Sequence, residues 1–196
     1  MNHRSRALIG TSVVALLVAA GAAAQVIPQA PAAAPAVQKA AKIQDFPGVV
    51  NFAPVDDTFA CGGAVTPEAV AELKKRGYKS VVNFRPTDEA GANVEQEKEA
   101  VEKAGLKFIH APFRRTDADF KPAVDTFLAA VKDPANRPML FHCAAGTRAA
   151  AMWLFKRVLV DGWTVEKAMP EAESIGLTSP AAQKWAAEYL QKLQSK

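Results

Sequence analysis

Residues 139–148 read Met-Leu-Phe-His-Cys-Ala-Ala-Gly-Thr-Arg, and an unbroken helical pattern follows to about Val160. A short apolar run, a tight loop of small side chains and a long helix make a strand–loop–helix unit. Such a unit buries its strand in a sheet and packs its helix on one face, which commits the chain to a layered α/β fold. The same stretch sets a thiol, Cys143, at the strand exit facing a helix start. Backbone N–H groups at a helix start favour negative charge, and Arg148 adds a fixed cation. A cysteine in such surroundings is stabilised as a thiolate, and the loop that holds the sulfur also suits a tetrahedral oxyanion. Taken alone, a free Cys more often simply packs in a core. The combination with Gly146 and Arg148 favours a nucleophile acting on an anionic substrate.

The rest of the chain repeats the alternation. Short strands are expected at residues 49–52 and 58–60, with Gly62-Gly63 at a turn. Thr66 caps a helix with Pro67 at its first position, and Gly77 ends it. Residues 80–84 are β-branched and aromatic, so a strand. Residues 93–104 carry Val94, Ala100, Val101 and Ala104 at helical spacing, with Gly105 as the C-terminal stop. Residues 107–110 read as a strand, 119–132 as a helix with Phe120, Val124, Phe127, Leu128 and Val131 on one face, and 138–142 as a strand. Helices follow at 147–160, 164–174 and 179–194, the last capped by Ser179 with Pro180 behind it. Strands alternating with helices predict an α/β fold with a mostly parallel central sheet flanked by helices. Ligands in such sheets sit beyond the carboxyl ends of the strands. That puts residues 85–91, 111–119 and 143–148 on one rim, with the Cys61-Gly62-Gly63 turn beside them.

The N-terminus stands apart. Arg4 and Arg6 precede an apolar stretch from Ala7 to Ala20, and Ala22-Ala23-Ala24 before Gln25 reads as a cleavage site. This pattern predicts a secretory signal peptide over 1–24; the alternative is an uncleaved anchor, for which the stretch is marginal in length. No Cys follows it, so it is not a lipoprotein signal. Residues 25–44 are Ala/Pro-rich and predict an extended linker, leaving 45–196 as the folded domain. The expected location is periplasmic or secreted, with membrane contact only if the leader stays attached. The full chain has a formal charge of +4 from 24 basic and 20 acidic residues; loss of Arg4 and Arg6 leaves +2. A near-neutral domain without an aromatic-interleaved basic patch gives no support to nucleic-acid binding. Two cysteines and no metal-ligand spacing argue against a zinc site, and no cofactor is expected.

The 142–149 segment resembles the signature loop of the cysteine-dependent phosphatases, the protein tyrosine and dual-specificity group, which reads His-Cys-x-x-Gly-x-x-Arg-Ser/Thr. His142, Cys143 and Gly146 fall in register. Arg148 arrives one residue early, and Ala149 stands where a hydroxyl is expected. The shorter spacing is similar to the loop of rhodanese-type sulfurtransferases. It looks most like the phosphatase-like domain of beta-lactamase-hydrolase-like proteins, with a loop Cys-x-x-Gly-Thr-Arg. The resemblance runs from about Val49 to the C-terminus and takes in Gly62-Gly63-Ala64-Val65-Thr66-Pro67-Glu68, Val81-Val82-Asn83-Phe84-Arg85-Pro86 and Gly105-Leu106-Lys107-Phe108-Ile109-His110-Ala111-Pro112.

Cys143 is then the expected nucleophile, and Arg148 the bidentate clamp on two anion oxygens, a fork Lys cannot copy. Ala144, Ala145, Gly146 and Thr147 present backbone N–H groups as an anion nest. The resemblance gives His142 the role of orienting the loop and helping to keep the thiolate. It places the general acid near Asp117 or Asp119, where helix capping is the competing role; Asp88 and Glu89 are weaker candidates. Arg114 and Arg115 lie on the rim, either to attract an anion or as a solvated pair, and Arg85 is placed to pair with an acidic rim residue. Thr147 is a candidate substitute for the missing hydroxyl. Cys61 is the second Cys, either a separate thiol or a reversible disulfide partner of Cys143 in an oxidising compartment.

The leading expectation is an exported Cys-dependent phosphatase-like hydrolase of phosphomonoesters, working through a phosphocysteine on a small anionic substrate or a phosphorylated protein. The alternative is a rhodanese-like sulfurtransferase working through a Cys persulfide, which needs no general acid. A third reading is a non-catalytic anion- or protein-binding module that keeps the loop for its shape.

Overall fold

The computed structural model describes residues 43–195; the expected leader and nearly all of the expected linker lie outside these residues. In chain order the elements are β1 (Ala53–Pro54), β2 (Phe59–Gly62), α1 (Pro67–Lys75), β3 (Ser80–Asn83), α2 (Val94–Lys103), β4 (Lys107–His110), α3 (Lys121–Lys132), β5 (Met139–His142), α4 (Thr147–Leu159), α5 (Val165–Ser174) and α6 (Pro180–Gln194). The sheet runs β1-β2-β5-β3-β4. β2, β5, β3 and β4 are parallel, and only the edge strand β1 is antiparallel. The α/β class with a mostly parallel sheet flanked by helices is thus the observed one.

Local chemistry explains the boundaries. Thr66, in an extended conformation, accepts the Ala69 N–H at the start of α1, and Pro67 fills the first position, where no N–H is needed. Thr164 and Ser179 do the same for α5 and α6. Gly77 and Gly105, both at positive φ, close α1 and α2. Two expectations are corrected. Residues 49–52 do not form a continuous strand: Gly48 and Asn51 sit at φ 79° and 49°, which breaks the extended run and leaves single bridges, Gln44 to Phe52 and Val49 to Val65. α3 begins at Lys121 and not at Asp119, because the Asp119 carboxylate is drawn out of the helix. It accepts from the Lys121 amide and from the Tyr189 hydroxyl.

The strands β2, β3 and β5 are buried throughout. Two cores cover their two faces. Phe59, Cys61, Val82, Met139, Phe141 and Cys143 face α3 to α6; Ala60, Val81 and Leu140 face α1 and α2. Side chains alternate across a strand, so the adjacent His142 and Cys143 are sent to opposite faces of the sheet. This split decides their partners. α4 is the central helix, buried from Arg148 to Arg157. It carries Trp153, fully buried and stacked at 5.5 Å on Phe141. Burial of such a side chain contributes roughly 2–3 kcal/mol. The loop before α4 therefore joins the two most deeply packed elements of the domain.

Candidate active site

β5 ends at His142, and its chain turns into α4 through Cys143, Ala144, Ala145 and Gly146. Gly146 sits at φ 100°, a conformation that side-chain-bearing residues rarely adopt. The turn brings the Gly146 N–H back to the Cys143 Sγ at 3.2 Å.

The loop carbonyls from Ala144 to Gly146 all accept hydrogen bonds. The Ala64 N–H donates to the Ala144 carbonyl at 2.9 Å. Asn51 Nδ2 donates to Ala145 O at 3.1 Å. Ala150 N donates to Gly146 O at 2.8 Å. In a trans peptide the N–H points opposite to the C=O. The amides of Ala145, Gly146 and Thr147 therefore point opposite to these engaged carbonyls, and the Gly146 amide meets the Cys143 sulfur. Gly63 permits the buttress: a Cβ there would lie 2.8 Å from the Ala144 carbonyl oxygen and 3.0 Å from Ala145 Cα.

A cleft of about 360 Å³ opens over this loop. Its lining takes in Cys143, Ala144, Ala145, Thr147 and Arg148 together with Glu89, Arg114, Arg115 and Thr116. The Arg148 guanidinium is anchored by three protein partners. Nη1 donates to the carbonyls of Phe113 (2.8 Å) and Phe84 (3.4 Å), and Nη2 donates to Glu89 at 2.7–2.8 Å. Its Nε has no hydrogen-bond partner among the described residues. The anchors fix the fork while leaving donors for a ligand. Glu89 is fixed in turn by Arg85 Nε at 2.9 Å, and Arg85 also donates to the carbonyls of Ala90 and Gly91. Arg85 thus pairs with an acidic rim residue, as its position after a strand suggested. Both Glu89 oxygens accept from guanidinium donors, which suits it to positioning and not to giving up a proton.

Behind the sheet, His142 Nε2 lies 2.7 Å from Glu97 Oε1, and Asn83 Nδ2 donates to Glu97 Oε2 at 2.9 Å. Asn83 Oδ1 accepts the Arg85 amide at 2.6 Å. A buried hydrogen-bonded chain therefore runs from the residue preceding Cys143 to the Arg85–Glu89–Arg148 group. Glu97 was not anticipated. Its signal was present, since it falls on the buried stripe of α2 between Val94 and Val101.

The two carboxylates expected as acids are placed differently. Asp117 Oδ2 accepts the Arg114 amide at 2.6 Å within the rim loop. Asp119 is turned to Tyr189, whose hydroxyl donates to it at 2.8 Å. Neither lines the cleft. Arg114 is paired with Asp88 across the rim, and its hydrogen bond holds the Asp88 carboxyl below the usual range. Arg115 lies over the Trp185 ring at 5.6 Å. Thr147 lines the cleft, beside Ala149, which is buried.

Both cysteines are buried free thiols. Cys61 is opposite Phe141 in the β2–β5 register and so lies two residues short of Cys143 on the same sheet face. Burial pushes the Cys61 thiol well above its ordinary pKa, and Cys143 adds to the shift. It is a neutral S–H donor towards the Gly146 carbonyl, at 3.9 Å. Among the described residues, no group of three or more His, Cys, Asp or Glu side chains is arranged to hold a metal ion.

A family model described as DSP-PTPase phosphatase fused to NAD+ kinase matches residues 40–188. The chain belongs to this family. It is a protein-tyrosine-phosphatase-like hydrolase with the fold of the cysteine-dependent phosphatases. Solved structures agree on the fold. TpbA of Pseudomonas aeruginosa, determined in complex with phosphotyrosine, is 20% identical with a TM-score of 0.61, covering 79% of this chain and 90% of that one. A DUF442 protein of Shewanella putrefaciens is 22% identical with a TM-score of 0.58, covering 74% and 94%. The core catalytic domain of the PP-IP phosphatase SIW14 of Saccharomyces cerevisiae is 17% identical with a TM-score of 0.54, covering 74% and 90%. No curated protein matches the sequence.

Proposed function

We propose that this phosphatase-family chain hydrolyses phosphomonoesters, of the phosphotyrosine type, through a phosphocysteine on Cys143. The observation that carries this reading is the inward-facing amide nest, with the Gly146 N–H on the Cys143 sulfur at 3.2 Å and the Arg148 fork held beside it. Such a nest offers fixed donors where phosphoryl charge develops. The phosphotyrosine bound to TpbA supports an aryl phosphate as the substrate class.

In the proposed cycle the Cys143 thiolate attacks phosphorus, and the bond from phosphorus to the ester oxygen breaks. The leaving oxygen takes a proton from a general acid. Water then attacks the phosphocysteine and gives a proton to the carboxylate that acted as acid; the sulfur–phosphorus bond breaks, phosphate leaves, and the thiolate and the protonated acid are restored. Of the two aspartates, Asp117 is the better acid. Its loop walls the cleft, whereas the Asp119 carboxylate serves Tyr189 and the start of α3. Replacement of Asp117 by Asn should slow an alkyl phosphate far more than a nitrophenyl phosphate, whose leaving group needs no proton. Equal slowing of both would remove Asp117 from this role.

Cys143→Ser should abolish turnover of an aryl phosphate while leaving the protein folded. Hydrolysis that survives the substitution would overturn the reading. One observation favours a second reading, a sulfurtransferase: four residues separate Cys143 from Arg148, one fewer than in the phosphatase signature. Cyanide-dependent sulfur transfer from thiosulfate, at rates above aryl phosphate hydrolysis, would select it. The proposal includes export with cleavage after Ala24. N-terminal sequencing of the protein from a cell envelope fraction should start at Gln25. Cys61 is proposed as a redox partner of Cys143; peptide mapping after mild oxidation should find the two joined, and two free thiols throughout would remove that role.

A further inference from the structure

The sulfur's hydrogen bond depends on the orientation of one peptide plane, between Ala145 and Gly146. Its N–H points at Cys143 Sγ, and its carbonyl points out of the loop to Asn51 Nδ2 at 3.1 Å. Nothing else among the described residues hydrogen-bonds this carbonyl. Asn51 lies 94 residues away in sequence, and its place is built deliberately. It sits at φ 49°, a left-handed conformation that Asn tolerates better than most residues. The turn that carries it is clamped to the end of β2: Val50 N donates to Ala64 O at 3.0 Å, and Gly63 N donates to Val50 O at 2.6 Å. The Ala64 amide holds the neighbouring Ala144 carbonyl. The outer wall of the loop is therefore a bracket made by residues 50–51 and 63–64.

We propose that Asn51 is a positioning residue for the nucleophile: by holding the Ala145 carbonyl outward, it aims the Gly146 N–H at the Cys143 sulfur and favours the thiolate. The inference rests on Cys143 being the nucleophile of the proposed function. Asn51 does not line the cleft and acts through the peptide alone. The titratable and charged groups around Cys143 are Cys61 on β2, Arg148 on α4, and Glu89, Arg114 and Arg115 lining the cleft, with His142 and Glu97 on the opposite face of the sheet; Asn51 forms a hydrogen bond to none of them among the described residues.

The test is the pH dependence of Cys143 alkylation by iodoacetamide, followed by peptide mass mapping so that Cys61 is scored separately. Asn51→Gly keeps the left-handed backbone and removes the donor without adding charge. It should move the midpoint of alkylation to higher pH and slow alkylation near neutral pH about tenfold, the scale of one hydrogen bond. Asn51→Asp keeps the shape and puts an acceptor against a carbonyl; its effect should be larger in the same direction. Thermal midpoints of both variants should stay close to wild type. An Asn51→Gly profile that overlays the wild type would overturn the proposal. Alkylation needs no turnover, so a shifted profile in a protein inactive on aryl phosphates would sink the proposed function and leave the role of Asn51 standing.

Discussion

Helix α4 carries a buried guanidinium near each end, and the two are treated differently. Arg157 is saturated. Its Nε and Nη2 donate to Glu171 at 2.6 and 2.8 Å, and Nη1 donates to Asp161 at 2.8 Å. Its flat face lies over Trp153 at 4.6 Å and Trp163 at 4.4 Å. Lys156 joins the Asp161 carboxylate, and the Trp153 indole N–H joins Glu171. Burial works against the Arg157 charge, but the Glu171 and Asp161 carboxylates outweigh it and raise its pKa further. Arg148 is fixed as firmly, by Glu89 and two carbonyls, yet it lines a cleft, and its Nε has no hydrogen-bond partner among the described residues. A buried cation that is fully paired serves the fold. One that keeps an unpaired donor in a cleft is proposed to bind an anion.

Exchanging each for a near neighbour should separate the two roles. Arg148→Lys keeps the charge and loses the planar fork. Removal of a bidentate, charge-assisted contact should lower kcat/KM for an aryl phosphate by about 10²–10⁴-fold, with a small change in the unfolding midpoint. A loss under tenfold would mean that Arg148 does not clamp the substrate. Arg157→Met leaves the Glu171 carboxylate without its cation, while Asp161 keeps Lys156; it should cost about 3 kcal/mol in denaturant unfolding, the low end for a broken buried pair. Activity per folded molecule should hold. If activity fell and stability did not, the contrast between the two ends of α4 would be broken.

A smaller effect concerns the rim. The Tyr189 hydroxyl donates to Asp119 and accepts from the Phe120 amide. Burial, with Asp119 beside it, pushes its pKa up to about 12. A raised pKa means that the folded state favours the protonated phenol. Its contribution is therefore complete below the ordinary tyrosine value near 10 and is lost as pH rises towards about 12. Tyr189→Phe should flatten the loss of stability over that window and cost roughly 1–2 kcal/mol at neutral pH. Unfolding curves of the two proteins that stay parallel across this range would remove Tyr189 as the group responsible.

What the sequence disclosed follows from distance along the chain. Cys143, the small-residue nest and Arg148 are close neighbours, so spacing alone brought them together. The caps Thr66, Thr164 and Ser179 and the stops Gly77 and Gly105 were legible for the same reason, since each acts within one turn of itself. The residues that tune the site arrive from elsewhere. Glu97 meets His142 across 45 residues, Glu89 meets Arg148 across 59, and Asn51 meets Ala145 across 94. Those meetings depend on strand register and on the paths of loops, which periodicity does not encode. Asp119 shows the reverse case: a residue near the expected position was taken by a tyrosine from α6, an element too far along the chain to be foreseen as its partner.

The central claim is that Cys143 carries the phosphoryl group. Acid-quenched turnover of an aryl phosphate, followed by mass mapping of the peptide that contains residue 143, tests it directly. One phosphoryl group is expected on Cys143 during turnover and none on the Cys143→Ser protein. A gain of a single sulfur atom on that peptide, or turnover that continues without Cys143, would contradict it.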